Sequence, residues 1–246
     1  MADKQPKTPS EISAQGELMA IGIACVLPTF VTLAYFVAAA EMESGVQQAV
    51  FAVAKVVQFS LPAAWVGLVC RERLGWPAWN PRGLALGIAF GLVIAAATFG
   101  LYFWLSPTEL MQQALVPIRE KITGMNLNSP VKFIGLGVFY SLFHSLLEEY
   151  YWRWFVFGRL RRFVPVGVAI AISSIAFAAH HVVVLWVYFS HAPAVALLLA
   201  AGVAVGGAFW AWLYHRTQSI YSIWASHLLV DAAIFGVGYF ISELLA

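Results

Sequence analysis

Charged residues are scarce in this sequence. Only 11% of its 246 residues are Asp, Glu, Lys or Arg, whereas 61% are hydrophobic, and the mean hydropathy is +0.80. Such a composition excludes an ordinary soluble domain. The formal net charge of +2 is too small to indicate a nucleic-acid partner, and none is expected. The sequence therefore predicts an integral membrane protein whose few charges are the informative residues.

Cysteine is also scarce, and a familiar metal motif is missing. Cys25 and Cys70 lie within or at the end of apolar stretches, where each is expected to serve as a small packing residue. Two such cysteines indicate neither a disulfide framework nor a cysteine metal site. The HExxH motif, which places two metal ligands and a base on one helix, does not occur.

Long apolar runs fill most of the chain. About 20 apolar residues cross the hydrocarbon layer, and seven runs reach or approach that length. They cover residues 17–40, 47–70, 83–105, 131–157, 164–188, 193–214 and 219–244. The first is too long for the apolar core of a cleavable signal peptide, so we expect it to remain as an anchor. The sequence thus predicts an all-α polytopic bundle of seven membrane helices.

Residues 106–130 leave room for an eighth segment. They begin with "SPTEL", in which Ser106 can cap a helix and Glu109 can complete a capping box. We predict a short interfacial helix that ends near Pro117, with a re-entrant or eighth membrane segment as the alternative. The remaining organisation is simple: a polar cytoplasmic tail at residues 1–16 and one membrane domain at residues 17–246.

Basic residues in the short loops predict the orientation. Lysine and arginine near span ends stay cytoplasmic, and here they precede span one and follow spans two, four and six. These residues are Lys4, Lys7, Arg71, Arg73, Arg82, Arg159, Arg161, Arg162 and Arg216. We therefore predict a multi-pass protein of a bacterial-type cytoplasmic membrane, with the N-terminus inside and the C-terminus outside. Five tryptophans are assigned to an interfacial belt: Trp152, Trp154, Trp210, Trp212 and Trp224.

Span four carries two glutamates and an arginine in "EEYYWR". Ionisable groups inside a membrane are costly, so each needs a partner, a cavity or a function. Glu149 and Arg153 are four residues apart, which suits a helical ion pair. Glu148 points about 100° away and needs another partner. His144, one turn before Glu148, is a possible hydrogen-bond partner with a structural role.

Spans five and seven carry the other informative residues. His180 and His181 are consecutive, so both cannot face one neighbour, whereas His227 and Asp231 share a helical face. Buried structural hydrogen bonds would explain such residues without any activity. Together, however, a carboxylate and imidazoles supply the groups for hydrolysis. Two histidines and a carboxylate can equally bind zinc or iron.

These residues form three motifs that resemble those of the type II CAAX prenyl endopeptidases, also called the CPBP or ABI family of intramembrane proteases. EExxxR reads Glu148, Glu149 and Arg153, FxxxH reads Phe177 and His181, and HxxxD reads His227 and Asp231. The motifs occur in order on separate predicted helices. The resemblance covers about residues 131–244.

The resemblance implies a glutamate-dependent endopeptidase. In that scheme Glu148 and His181 activate water, His227 and Asp231 stabilise the tetrahedral intermediate, and Glu149 and Arg153 orient the site with Phe177. It also favours His181 over His180. An ionised Asp231 can only accept hydrogen bonds, so it is protonated, orients His227 or accompanies a metal. No cofactor is required by the glutamate mechanism, and a divalent metal such as zinc is the alternative.

The shared site carries a geometric condition. Counting helical rise from the predicted span ends places Glu148 about 15 Å deep, His227 about 12 Å and His181 about 25 Å. The residues can share a site only if the His181 ring lies within about 12 Å of the Glu148 carboxylate. We nevertheless expect Glu148, His181 and His227 to converge on one cavity.

Three functions compete at this point. The first is an endopeptidase acting on a membrane-associated or lipidated protein in the bilayer. The second is a non-catalytic scaffold or bacteriocin-immunity protein that uses the same polar cluster for binding. The third is a proton-coupled transporter, against which the sequence shows no inverted repeat.

Overall fold

The computed structural model describes residues 13–72, 75, 77–127 and 129–242. Most of the predicted tail at residues 1–16, together with Arg73, lies outside these residues. The described part is all-helical, and seven of its helices are long and apolar enough to cross a membrane. The helices are α1 (Ala14–Ala38), α2 (Ser44–Val69), α3 (Pro81–Leu105), α4 (Glu109–Gly124), α5 (Pro130–Leu160), α6 (Val166–Tyr188), α7 (Pro193–Thr217) and α8 (Ile220–Ile241).

Helix α4 differs from its predicted bounds. Thr108, not Ser106, caps it by accepting a hydrogen bond from the Met111 amide at 3.4 Å. The helix also continues through Pro117, where we predicted its end. Proline removes one backbone hydrogen bond to the carbonyl four residues earlier. That carbonyl belongs to exposed Gln113, where water can take the place of the lost donor.

Helix α4 covers one end of the bundle and is not among the seven candidate spans. Arg119 donates to the Ile241 carbonyl at the end of α8, and Lys121 donates to the Gln47 side chain at the start of α2. The backbone of Leu110 lies 3.1 Å from His191, between α6 and α7. The basic residues of α4 therefore hold helix ends together.

The opposite end, which we call the basic end, is joined by an ionic cluster. The Arg159 guanidinium at the end of α5 lies 2.8 Å from Glu17 near the start of α1 and 2.6 Å from Glu72 just after α2. Arg161 donates to Gln218, which follows α7. These helix ends thus lie on one side, as the loop charges require. The cytoplasmic orientation of that side stays a prediction.

Helix α3 packs closely along α8 through three glycines at four-residue spacing, which are Gly83, Gly87 and Gly91. A Cβ on Gly87 would overlap the Ser222 carbonyl oxygen, and one on Gly91 would lie 2.8 Å from that of Ser226. Small residues at this spacing let membrane helices approach backbone to backbone. The glycines therefore fix the position of α8, on which His227 lies.

Helix α5 changes its winding on both sides of the two glutamates. Tyr140–His144 and Tyr150–Phe157 are π-helical, and the turn Ser145–Glu149 between them is α-helical. Wider π turns are often found at functional sites because they change the direction in which side chains point. Here they flank the segment that carries Glu148 and Glu149.

Candidate functional site

The two glutamates of α5 lie inside the bundle. Glu148 is 3% exposed and Glu149 is fully buried. Bare carboxylates at such positions would be strongly destabilising, since a charge removed from water requires a partner. The partners come from α5 itself and from α6 and α8.

Glu149 binds two cationic or polar donors through one oxygen. Arg153 Nη1 lies 2.9 Å from Glu149 Oε1, and His227 Nδ1 lies 2.7 Å from the same atom. Because an ionised carboxylate only accepts hydrogen bonds, both nitrogens donate to it. The ion pair expected from the four-residue spacing is present, and it additionally fixes the His227 ring.

The Arg153 side chain is itself held on several sides. Its guanidinium carbon lies 4.4 Å from the centre of the Phe177 ring and 5.0 Å from that of Trp210. Its Nη2 atom is 3.5 Å from the Gly207 carbonyl oxygen. A Cβ on Gly207 would come within 3.3 Å of the guanidinium, so a larger residue there would crowd it. Phe177 therefore contacts Arg153 as well as the histidines of α6.

Glu148 is surrounded by three histidines. Its Oε1 atom lies 3.6 Å from His180 Nε2 and 4.0 Å from His144 Nε2, and its Oε2 atom lies 3.7 Å from His227 Nε2. These separations exceed a direct hydrogen bond. A water bound to the carboxylate could therefore also contact a histidine nitrogen. The arrangement can polarise a water molecule.

The structure gives His180 the contact with Glu148 that the FxxxH motif favours for His181. His180 is buried, and its ring lies parallel to Trp152 at 6.0 Å. His181 is more exposed, and its Nδ1 lies 3.1 Å from the carbonyl oxygen of Phe177 on its own helix. Which histidine faces the glutamate could not be decided from two consecutive letters.

Both histidines nevertheless satisfy the distance condition. The His181 ring is 4.1 Å from that of His180, whose Nε2 is 3.6 Å from Glu148, so His181 lies inside the 12 Å limit. The apparent difference in depth came from the predicted span ends. Helix α5 runs on to Leu160, so Glu148 lies deeper from that helix end than predicted. Helix α6 begins only at Val166, so His180 and His181 lie less deep from its start.

Asp231 contacts His227 on the nitrogen that also faces Glu148. His227 Nε2 lies 3.5 Å from Asp231 Oδ1, and the two residues are one helical turn apart. Of the alternatives for Asp231, this geometry favours the one in which it orients His227. The imidazole is thereby held between Glu149 on one nitrogen and Asp231 with Glu148 on the other.

Two tryptophans assigned to an interfacial belt line the site instead. Trp152 is fully buried beside His180, and Trp210 stacks on His227 with ring centres 4.3 Å apart. The Trp210 indole donates to Ser226 at 3.0 Å. Trp212 is 40% exposed, and its place in the belt stays a prediction. Position near a span end could not separate these cases, because burial depends on neighbouring helices.

Lys55 was missed by the sequence reasoning. It lies near the middle of α2, and its charge in an apolar run is the kind of signal that marks a functional residue. Its Nζ atom is 5.4 Å from the Phe59 ring, and that ring contacts His144 at 5.7 Å. Lys55 thus adds a cation near the Glu148 cluster.

The residues of the cluster do not form a recognisable metal centre. Within the part of the chain that the structure describes, no group of three or more His, Cys, Asp or Glu side chains has an arrangement that could hold a metal ion. The nitrogens around Glu148 face its oxygens rather than one common point.

The fold and the cluster together define a multi-pass helical membrane protein with an ionisable centre inside its bundle. Residues 130–233, which are less than half of the chain, match the family model described as type II CAAX prenyl endopeptidase Rce1-like. This segment is therefore similar to a family of CAAX-type proteases. No curated protein and no solved structure matches the chain.

Proposed function

We propose that this protein is an intramembrane endopeptidase in which Glu148 activates water for the hydrolysis of a peptide bond. The observation that carries the proposal is the buried Glu148 carboxylate with three histidine nitrogens at 3.6–4.0 Å. A base must lie within reach of the proton that it removes, directly or through one water. A water that binds Glu148 from the side of one of these pairs could contact the carboxylate and a histidine nitrogen together.

In the proposed reaction, water bound by Glu148 attacks the scissile carbonyl carbon. The Glu148 carboxylate takes one water proton as the new C–O bond forms, and the carbonyl electron pair moves to the oxygen. The C–N bond then breaks, and protonated Glu148 returns the proton to the leaving nitrogen. The sum is one water consumed and one peptide bond cleaved.

His227 is the proposed donor to the oxyanion. When both ring nitrogens carry hydrogen, Nδ1–H donates to Glu149 and Nε2–H is directed toward Glu148 and Asp231. An oxyanion formed beside Glu148 would then accept from Nε2–H. Such a donor lowers the activation barrier because the protein holds it in place before charge develops. Arg153 and Asp231 act by positioning this ring.

The proposed substrate is a membrane-associated or lipidated protein. An apolar groove of about 540 Å³ runs between α1 and α6, lined by residues that include Phe30, Ile175, Ala176 and Ala179. Ala176 lies one helical turn before His180, so the groove runs beside the site. A hydrocarbon chain in this groove would bring an attached peptide toward Glu148. We further propose that the basic end faces the cytoplasm, as its arginines favour.

The function is tested by comparing the proteins of membranes that contain or lack this chain. We expect a carboxyl-terminal fragment of a membrane-associated protein to appear only when the chain is present. Purified protein in liposomes should release the same fragment, and a strong chelator should leave that rate unchanged. Absence of any fragment would support the scaffold function, whereas loss of cleavage on chelation, restored by zinc, would identify a metal enzyme.

His180 and His181 provide an internal comparison. We expect His180→Ala to lower the cleavage rate about a hundredfold, because it removes a nitrogen facing Glu148. His181→Ala should lower it less than about tenfold, since its Nδ1 contacts a backbone carbonyl. The rates are measured on purified variants at saturating substrate. A larger loss for His181→Ala would show that the motif, and not this contact, identifies the functional histidine.

A further inference from the structure

Lys55 is a cation inside the membrane with an unusual environment. Its Nζ atom lies 5.4 Å from the ring centres of both Phe51 and Phe59, one turn before and after it on α2. Among the described residues, no carboxylate approaches this nitrogen within 4.0 Å to form an ion pair. Aromatic faces stabilise a cation only partly. An ammonium in this position therefore has the capacity to bind an anion.

The position of Lys55 connects it to the proposed site. Phe59 is 5.7 Å from His144, and His144 Nε2 is 4.0 Å from Glu148 Oε1. Helix α2 lies outside residues 130–233, so this cation comes from beyond the segment that matches the Rce1-like family model.

Arg153, the other intramembrane cation at the site, is already engaged. It is fully buried, pairs with Glu149 and is covered by Phe177 and Trp210. Lys55 is only partly buried. A ligand that approaches these two cations would therefore meet the charge of Lys55 and not that of Arg153.

We propose that Lys55 binds a carboxylate of the substrate and thereby sets where the peptide lies relative to Glu148. This inference rests on the proposed peptidase function. A peptide offers carboxylates from two sources, its carboxyl terminus and its Asp or Glu side chains. Desolvated charge-assisted hydrogen bonds from an ammonium would select either one over an uncharged group.

The distances limit which carboxylate can reach Lys55. The successive separations from Lys55 through Phe59 and His144 to Glu148 are 5.4, 5.7 and 4.0 Å. An extended peptide advances about 3.3–3.6 Å per residue. The bound carboxylate should consequently lie within about five residues of the scissile bond.

Binding of three lipopeptides tests the proposal. Each has an N-palmitoyl group and five residues joined by N-methylated peptide bonds, so that it resists cleavage, and every residue is alanine except where stated. The first ends in a carboxylate, the second in a carboxamide, and the third in a carboxamide with glutamate as the fifth residue. We expect wild-type protein in liposomes to bind one or both carboxylate peptides at least about tenfold more tightly than the uncharged one.

The variants decide whether Lys55 causes that preference. Lys55→Met should bind all three peptides equally, whereas Lys55→Arg should keep the preference and Lys132→Met, on an exposed part of α5, should match wild type. Preference for the first peptide alone identifies the terminal carboxylate, and preference for the third identifies a side chain. Thermal unfolding of each variant checks that it is folded. If Lys55→Met is not folded, Lys55→Arg remains as the variant that preserves the charge.

Two results would overturn the assignment: a carboxylate preference that survives in folded Lys55→Met protein, or none in wild-type protein. Because the readout is binding, it is separate from the peptidase test. A preference that depends on Lys55 in a protein that cleaves nothing would remove the proposed catalysis and retain the carboxylate site. Cleavage without any carboxylate preference would retain the proposed catalysis and remove the carboxylate site.

Discussion

We expect Glu148→Gln to lower the rate of the proposed peptide cleavage by about three to four orders of magnitude, while the affinity for substrate changes little. Glutamine has nearly the same shape but cannot take a proton from water, and positioned acid–base groups contribute up to about 10⁴-fold. Since Glu148 makes no direct hydrogen bond to its three histidines, the exchange leaves their packing intact. The cleavage rate and the substrate affinity are measured separately on purified protein.

Glu120→Gln is the matched control. Glu120 is exposed and lies on α4, which carries none of the residues of the proposed site. It should cleave at the wild-type rate. A Glu148→Gln protein that cleaves as fast as wild type would show that Glu148 is not the base. If the biological effect of the protein also survived, a binding or scaffold role for the polar cluster would gain support.

We expect Arg153→Met to destabilise the folded protein by about 3–5 kcal/mol. The substitution leaves Glu149 as a buried carboxylate without its cation, and removal of one partner of a buried pair has a cost of this size. The site is well suited to show the effect, since Glu149 is fully buried and Arg153 is 2% exposed. The free energy of unfolding is measured by denaturant titration in mixed micelles.

A second substitution separates charge from packing. In Arg153→Met with Glu149→Gln, the buried charge is gone and the glutamine oxygen still accepts from His227 Nδ1, so most of the stability should return. Arg162→Met, which removes a half-exposed arginine, should cost less than about 1 kcal/mol. Equal instability of the single and double variants would mean that Arg153 contributes chiefly through its contacts with Phe177 and Trp210.

The sequence was sufficient for the membrane helices and for the Glu149–Arg153 pair. Hydropathy indicates whether a segment lies in lipid or in water. A four-residue spacing indicates that two residues lie on the same face of a helix. Both are local properties. The same locality explains the error at Pro117, where a general stop signal was applied to an amphipathic helix whose exposed carbonyl can tolerate the lost bond.

Contacts between helices were beyond the sequence. Nothing in "AHH" states which imidazole turns toward α5, and nothing in Trp210 states that it stacks on His227. Such contacts depend on helix rotation, which the π-helical turns of α5 change further. Lys55 is a different case, because an isolated charge in an apolar run is itself a local property of the sequence.

The glycine face of α3 separates two meanings of the word domain. The Rce1-like match begins with α5 and ends within α8, yet α8 is seated in a backbone-to-backbone contact with Gly87 and Gly91, far upstream of the match. A fragment limited to the match would keep all three motifs and expose the surface of α8 that these glycines cover. The segment that homology detects is thus a unit of inheritance, whereas the smallest unit able to hold His227 in place includes helices that homology does not detect.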